Sequence, residues 1–156
     1  MTASVDSKDL IGVWYNQLGS KMTLRADGSG LYHSNVVGAP PDFDYYFNWT
    51  YDGTTTPDRV GVSIGWTVVF VYAAKSIHSA ATWSGQFFDY DGKPRIITQW
   101  LLSRSTKEGD IWDSTNVGKD TFTKVEPTAA EIAKARALGG SSPEDILLAY
   151  VNQVSE

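Results

Sequence analysis

The chain has 156 residues and a formal net charge of -5, which fits one domain and argues against a nucleic-acid partner. It has no apolar run of about 18 residues and no apolar leader segment, so we expect neither a membrane span nor a signal peptide. It also has no cysteine, which excludes disulfides and thiolate metal sites. The compartment stays open between the cytoplasm and a mature secreted form, because a secreted barrel can fold without disulfide bridges.

Short β-rich runs, separated by clusters of Gly, Asp, Pro and Ser, fill the chain from Leu10 to about Val125. This pattern is typical of successive hairpins. About eight runs occur, the number at which an antiparallel up-and-down β-barrel closes around one small ligand. We therefore predict an all-β fold of this kind. The predicted strands lie near Gly12–Gln17, Lys21–Ala26, Gly30–Val36, Phe43–Tyr51, Val60–Val71, Ile77–Phe88, Arg95–Ser103 and Asp120–Lys124.

The inner faces of the predicted strands combine polar groups with large rings. Side chains alternate between the two faces of a strand, so parity separates the inside of the barrel from the outside. A buried hydroxyl needs a hydrogen-bond partner, so a mixed face favours a lined cavity over a filled core. The mixed inner faces are Ser79, Ala81 and Trp83 on one strand and Thr98, Trp100 and Leu102 on the next.

The sequence changes character after Pro127. Residues 128–138 are rich in helix formers and end at two glycines, and residues 143–154 place apolar side chains on one helical stripe. This second piece could dock on the barrel or on a partner, or be disordered. We therefore divide the chain into a barrel domain, 10–126, and a tail, 127–156, that is partly helical or disordered.

Four ordered sequence blocks resemble the avidin and streptavidin family of biotin-binding proteins. They are Trp14–Ser20 (WYNQLGS), His78–Gln86 (HSAATWSGQ), Thr98–Leu102 (TQWLL) and Trp112–Lys124 (WDSTNVGKDTFTK). The resemblance covers roughly residues 10–126 and is closest to the streptavidin and fungal avidin-like branch. It implies non-catalytic, high-affinity binding of biotin in the mouth of the barrel, with no cofactor and no metal.

The resemblance implies a hydrogen-bonding site for the ureido group of biotin. In the family, Asn, Ser and Tyr side chains donate to the ureido oxygen, and the matching residues here are Asn16, Ser20 and Tyr32. The ureido nitrogens need acceptors, and the matching residues are Ser34 and Asp120. Asp120 also matches the family carboxylate that orients the Asn side chain.

The resemblance also implies an apolar pocket for the rest of the ligand. Trp83 and Trp100 would form its walls, and Ser79 would meet the carboxylate tail of biotin. Leu18, Val36 and Leu102 would complete the apolar lining.

Three features of the predicted pocket depart from the family pattern. Phe70 stands where the family has a Trp, and Ala81 stands where it has a Thr that bonds the thioether sulfur. The tail loop, with Val37, Gly38 and Ala39, is longer than its family counterpart. We therefore expect an intact ureido site and a weaker hold on the rest of biotin.

Trp112 resembles the lid that one subunit contributes to the pocket of its neighbour. This role requires a second subunit, so we expect a homo-oligomer, a tetramer more than a dimer. Lys119 matches a position at the weaker dimer–dimer contact, where two facing ammonium groups repel each other unless ions screen them.

Two other functions remain as alternatives. The barrel could carry another small hydrophobic ligand, as lipocalin-like barrels do, but three donors aimed at one oxygen do not serve such a ligand. An enzyme would need a nucleophile with its base, or a metal cluster, and the sequence shows neither pattern. Asp120 is the only carboxylate that we expect in the pocket.

Overall fold

The computed structural model describes residues 7–36, 44–53, 61–72, 77–89 and 92–153. Within these ranges, eight antiparallel strands pair in chain order, and the last strand closes on the first. The predicted all-β, eight-stranded up-and-down barrel is therefore confirmed. The strands are β1 (Gly12–Asn16), β2 (Lys21–Leu24), β3 (Ser29–His33), β4 (Asp44–Tyr51), β5 (Gly61–Tyr72), β6 (Ile77–Phe88), β7 (Arg95–Arg104) and β8 (Thr115–Thr123).

Alternation of buried and exposed side chains fixes which strand faces line the barrel interior. Along β7, every second residue from Ile96 to Arg104 is buried, and each residue between them is exposed. The rings of neighbouring strands pack together inside: Trp66 stacks on Trp83 with ring centroids 5.8 Å apart, and Phe122 meets Trp66 edge-on. The period of two in the sequence therefore sets the core, because a shift by one residue would expose these rings.

Strand β8 begins at Thr115, five residues before the start predicted at Asp120. Its first half contains no buried apolar side chain, so hydrophobic patterning could not reveal it. Backbone pairing with β7 defines it instead, with Leu102 opposite Asn116. A 3-10 helix, Glu108–Asp113, precedes β8 and was not predicted, since none of its residues is buried.

Two helices follow the barrel, so of the two alternatives predicted for the tail, helical or disordered, the helical one is observed. They are α2 (Ala129–Ala137) and α3 (Pro143–Gln153), and a short helix, α1 (Ser7–Leu10), precedes β1. Thr128 caps α2 in a reciprocal pair with Glu131. Helix α3 docks on the barrel, because Leu147 joins the hydrophobic core and both Ile146 and Tyr150 pack against it. Docking is thus the observed state of the second helical piece. Among the described helices, none is long and apolar enough to cross a membrane.

Gly118 makes room for one wall of the barrel interior. It lies opposite Trp100 in the β7–β8 register, and the indole ring covers its Cα. A Cβ at position 118 would overlap the ring atoms of Trp100. The indole itself is almost fully buried and cannot swing out without leaving the core.

We predict that Gly118→Ala lowers the free energy of unfolding by about 1–3 kcal/mol, since overpacking forces a buried ring off its rotamer. Gly109→Ala is the matched control, because a Cβ there meets nothing within 4 Å. Urea denaturation of both variants measures the difference. Equal stabilities of the two variants would contradict the proposed role of Gly118.

Candidate functional site

Asn16 is held in one orientation by the turn that follows β1. Its side-chain oxygen accepts hydrogen bonds from the backbone N–H groups of Leu18 at 3.1 Å and Ser20 at 2.9 Å. Its side-chain nitrogen therefore points the other way and donates to Asp120 Oδ1 at 3.4 Å. The amide thus presents its N–H groups to the barrel interior.

Asp120 is a buried carboxylate with three side-chain donors. Besides Asn16, the indole N–H of Trp83 donates to Oδ2 at 2.8 Å and the Gln17 amide donates to Oδ1 at 2.9 Å. Burial raises the pKa of Asp120 to about 6, against the lowering effect of these donors. Burial thus opposes ionisation of the carboxyl group, whereas the three donors favour the ionised form, which can accept further hydrogen bonds.

Gln17 was not among the predicted site residues. Its side chain spans the seam between β1 and β8, since it donates to Asp120 and accepts from the backbone N–H of Thr121 at 3.0 Å. A glutamine at a strand end is ordinarily a solvated residue, so the sequence alone gave no signal for this role.

The other predicted polar residues lie in the same cluster. Ser20 is fully buried, and its hydroxyl accepts from the backbone N–H of Asn35 at 3.0 Å. Tyr32 is also fully buried, and its ring lies against Trp83 with centroids 5.5 Å apart. Ser34, which follows β3, shares one hydrogen-bond partner with Tyr32. The structure therefore brings the five predicted polar side chains together.

Apolar side chains surround this polar cluster. Phe70 packs edge-on against Tyr32 at 6.4 Å and against Tyr45 at 4.8 Å, a contact that the sequence did not predict. The remaining predicted lining residues are all buried in the interior: Leu18, Val36, Ala81, Trp83, Trp100 and Leu102.

Ser79 is buried as well, but it is only loosely engaged. Its hydroxyl lies 3.5 Å from the carbonyl oxygen of Phe70, at the upper limit for a hydrogen bond. This hydroxyl could therefore turn toward another acceptor or donor.

Trp112 does not line the cavity of its own chain. Trp112 lies on the 3-10 helix and is 82% exposed, so it covers nothing within its own subunit. The tail loop, including Val37, Gly38 and Ala39, lies outside the described residues.

Helix α3 brings a second carboxylate into the pocket, and the expectation that Asp120 would be alone there is wrong. Glu144, in the first turn of α3, is 4% exposed. Its Oε2 accepts hydrogen bonds from the hydroxyls of Tyr32 at 3.3 Å and Ser34 at 3.2 Å. The sequence pattern of α3 predicted an apolar stripe for docking and gave no sign that the glutamate beside it would be buried.

Burial and neighbouring negative charge raise the proton affinities of Glu144 and Tyr32. Burial raises the pKa of Glu144 to about 7, and the nearby charge of Asp120 adds to this effect, while hydroxyl donors lower it. Burial also raises the pKa of Tyr32 well above its usual value, with the two carboxylates contributing. Tyr32 therefore stays a neutral hydrogen-bond donor throughout the physiological range.

The site offers hydrogen bonds and apolar surface to a ligand. In the described part of the chain, no group of three or more His, Cys, Asp or Glu side chains is placed to hold a metal ion. The arrangement is suited to a small molecule with a polar head and an apolar body.

Sequence comparisons agree with this architecture. The avidin family model matches residues 4–125. The chain is 32% identical to avidin of Gallus gallus over 125 residues, which cover 74% of this chain and 78% of avidin. It is 30% identical to avidin-related protein 4/5 of Gallus gallus, over 74% of this chain and 77% of the relative. It is also 28% identical to fibropellin-1 of Strongylocentrotus purpuratus, over 78% of this chain but only 11% of that longer protein. The chain belongs to the avidin family, whose members are non-catalytic binding proteins.

Proposed function

We propose that this protein binds biotin without covalent chemistry in the mouth of its barrel. The observation that carries the proposal is the buried cluster of Asn16, Ser20, Tyr32 and Asp120. In this cluster the Asn16 amide donates to Asp120 and accepts from the backbone N–H of Ser20, and the charge of Asp120 acts on the buried Tyr32 hydroxyl. Such a cluster is costly in a protein interior unless its hydrogen-bonding groups are used. Membership of the avidin family supports biotin as the ligand that uses them.

The cluster fits the hydrogen-bonding pattern of a cyclic urea. A ureido group has one strongly accepting oxygen and two N–H donors. The Asn16 amide and the hydroxyls of Ser20 and Tyr32 supply donors for the oxygen, whereas Ser34 and Asp120 supply acceptors for the two N–H groups. Donors fixed before the ligand arrives stabilise partial negative charge on the oxygen without further reorganisation.

The apolar part of the pocket would hold the bicyclic ring and the chain of biotin. Trp83 and Trp100 provide flat surfaces, and Phe70 covers less area than a Trp would. Ala81 cannot donate a hydrogen bond to the thioether sulfur. A lost neutral hydrogen bond corresponds to about 0.5–1.5 kcal/mol, so Ala81 weakens binding roughly tenfold at most relative to a Thr.

We predict that Asp120→Ala weakens biotin binding by roughly 10- to 100-fold and that Ser79→Ala weakens it only a few-fold. Loss of Asp120 leaves Asn16, Trp83 and a ureido N–H short of a buried partner, a cost of about 1–3 kcal/mol. Ser79 has only a long contact to lose. Calorimetric titration with biotin measures both effects.

Thermal unfolding of the two variants without ligand is the control for intact folding. Equal losses of affinity in Asp120→Ala and Ser79→Ala would show that the ureido group is not oriented toward Asp120. A wild-type protein that releases no heat and gains no thermal stability with biotin would contradict the proposal itself.

We also propose that the barrel assembles as a homo-oligomer, a tetramer more than a dimer. An apolar area on the outer faces of β5, β7 and β8 supports this, because its side chains are 45–73% exposed. Leu101 lies opposite Val117 in the β7–β8 register, so part of this area is continuous. The exposed side chains are Val69, Val71, Ile97, Leu101 and Val117. The exposure of Trp112 is consistent with a role over a neighbour's pocket.

Light scattering at micromolar concentration should give a mass near four times the 17.1 kDa of one chain. Lys119 is exposed beside Val117, so added salt should favour the tetramer by screening facing ammonium groups. A tetramer that is indifferent to salt would contradict the role of Lys119. A monomer at this concentration would contradict the assembly and with it the lid role of Trp112.

A further inference from the structure

The segment between the barrel and α3 leads that helix directly to the ligand site. Helix α2 lies against the turn between β1 and β2, where Ile132 approaches Gly19. Gly139 then ends α2 with a positive φ, and Gly140 passes close to the side chain of Leu18. Helix α3 therefore starts at the rim of the pocket that Leu18 lines.

The first turn of α3 is inserted among the polar residues of that pocket. Ser142 is fully buried, and it caps the helix by accepting a hydrogen bond from the backbone N–H of Asp145 at 3.3 Å. Glu144 follows, with its Oε2 between the hydroxyls of Tyr32 and Ser34. The carboxylate thus uses two of the groups that would bind the ureido group.

Apolar and ionic contacts hold the rest of the helix in place. Leu147 is 9% exposed and belongs to the hydrophobic core. The guanidinium of Arg104 lies 4.1 Å from the ring centroid of Tyr150. Outside the pocket, Arg136 of α2 pairs with Asp145 at 3.2 Å.

The contact made by Glu144 is weaker than these because it buries a carboxylate without a cation. The described ion pairs of this region are made by Asp145 and Asp113. The charged side chain that acts on the pKa of Glu144 is Asp120, which is also acidic and raises that pKa further. A buried charge without a partner of opposite sign opposes docking. A neutral urea oxygen can accept from the same hydroxyls without this cost.

We propose that α3 is a built-in competitor for the biotin site, with Glu144 in the place of the ureido group, so that α3 must undock before biotin binds. This inference rests on the proposed function and adds its regulation. The apolar contacts keep the helix docked in the free protein, and the uncompensated carboxylate makes it displaceable. The helix thereby protects an apolar cavity from other ligands until biotin is present.

In the full chain, Leu147→Asp should release α3 and raise the biotin association rate roughly tenfold or more, since docking lowers the fraction of competent sites. Leu138→Asp is the matched control, because Leu138 is 79% exposed at the end of α2. Stopped-flow tryptophan fluorescence measures the rates. For the wild type, the observed rate should level off at high biotin concentration, where undocking becomes limiting.

The outcomes separate this inference from the proposed function. If the observed association rate rises linearly with biotin concentration, and equally in the wild type and Leu147→Asp, the competitor role is overturned and biotin binding stands. If Leu147→Asp binds biotin and the wild type does not, both the competitor role and biotin binding are supported. Absence of binding in both proteins overturns both.

Hydrogen exchange of the wild type provides a readout that needs no variant. Biotin should speed the exchange of backbone amides in residues 143–153 while it slows exchange around the pocket. Unchanged or slower exchange in α3 would overturn the inference, even if Leu147→Asp failed to fold.

Glu144→Gln tests the role of the charge. Burial in the docked helix raises the pKa of Glu144 to about 7, above the ordinary value of a glutamate, so docking is strongest at low pH and weakens as pH rises toward 7. The groups that face Glu144 are Tyr32, Ser34, Ser142 and the charged Asp120. Asp120 is present in both the wild type and Glu144→Gln. The difference between their biotin association rates therefore reports the effect of the Glu144 charge.

We expect Glu144→Gln to bind biotin several-fold more slowly than the wild type at pH 8, because the neutral glutamine docks without the cost of a buried charge. At pH 5 Glu144 is itself neutral when docked, so the two association rates should converge. A rate ratio that is the same at both pH values would overturn the role of the charge in displacement.

Discussion

The seam between β1 and β8 is the constraint on which the rest of the site depends. It is short, pairing Tyr15 with Thr123 and Asn16 with Phe122. This pairing brings residues separated by more than 100 positions within hydrogen-bond distance, and Asp120 thereby receives Asn16 and Gln17 from the other side of the seam. Without closure, Asp120 would lose two of its three side-chain donors, so barrel and site stabilise each other.

Barrel closure also explains why the polar cluster is tolerated in an otherwise apolar interior. Each buried polar group in it has at least one fixed partner, and several of these partners are backbone N–H groups of the turns beside the strands. Such partners cannot move away without breaking the turn. The Asn16 and Ser20 side of the cluster is therefore preorganised before any ligand arrives, which lowers the cost of binding.

The sequence allowed the strands and the composition of the interior to be predicted, because alternation along β5, β6 and β7 is regular and buried rings mark the inner face. The predicted start of β8 was wrong, since residues 115–118 include no buried apolar side chain and are defined as a strand by backbone pairing alone. The five polar residues of the cluster were named from a family resemblance, and no local pattern would have singled them out.

Gln17 and Glu144 escaped prediction for a related physical reason. Both are polar residues whose surroundings depend on contacts between distant segments, at the seam for Gln17 and at the docked helix for Glu144. A helical stripe such as that of Ile146 and Leu147 predicts that a helix docks on something, but it cannot specify the surface. The burial of Glu144 becomes evident only once the position of α3 on the barrel is known.

The docked helix changes how the free protein should be understood. The pocket in the described structure is filled by the chain itself, and two of its hydroxyls already serve a carboxylate. If α3 must undock first, the apparent affinity for a ligand is the intrinsic affinity of the open site multiplied by the fraction of molecules in which α3 is undocked. A ligand that displaces α3 must compensate for the contacts of Leu147 and Tyr150 as well as fit the cavity, which favours selectivity.

A crystal structure of the full chain with biotin would show the ligand and α3 together. We expect the ureido oxygen within hydrogen-bond distance of Asn16, Ser20 and Tyr32, a ureido N–H donating to Asp120, and α3 displaced from the pocket. Biotin bound elsewhere, or with its ureido group directed away from Asp120, would contradict this expectation.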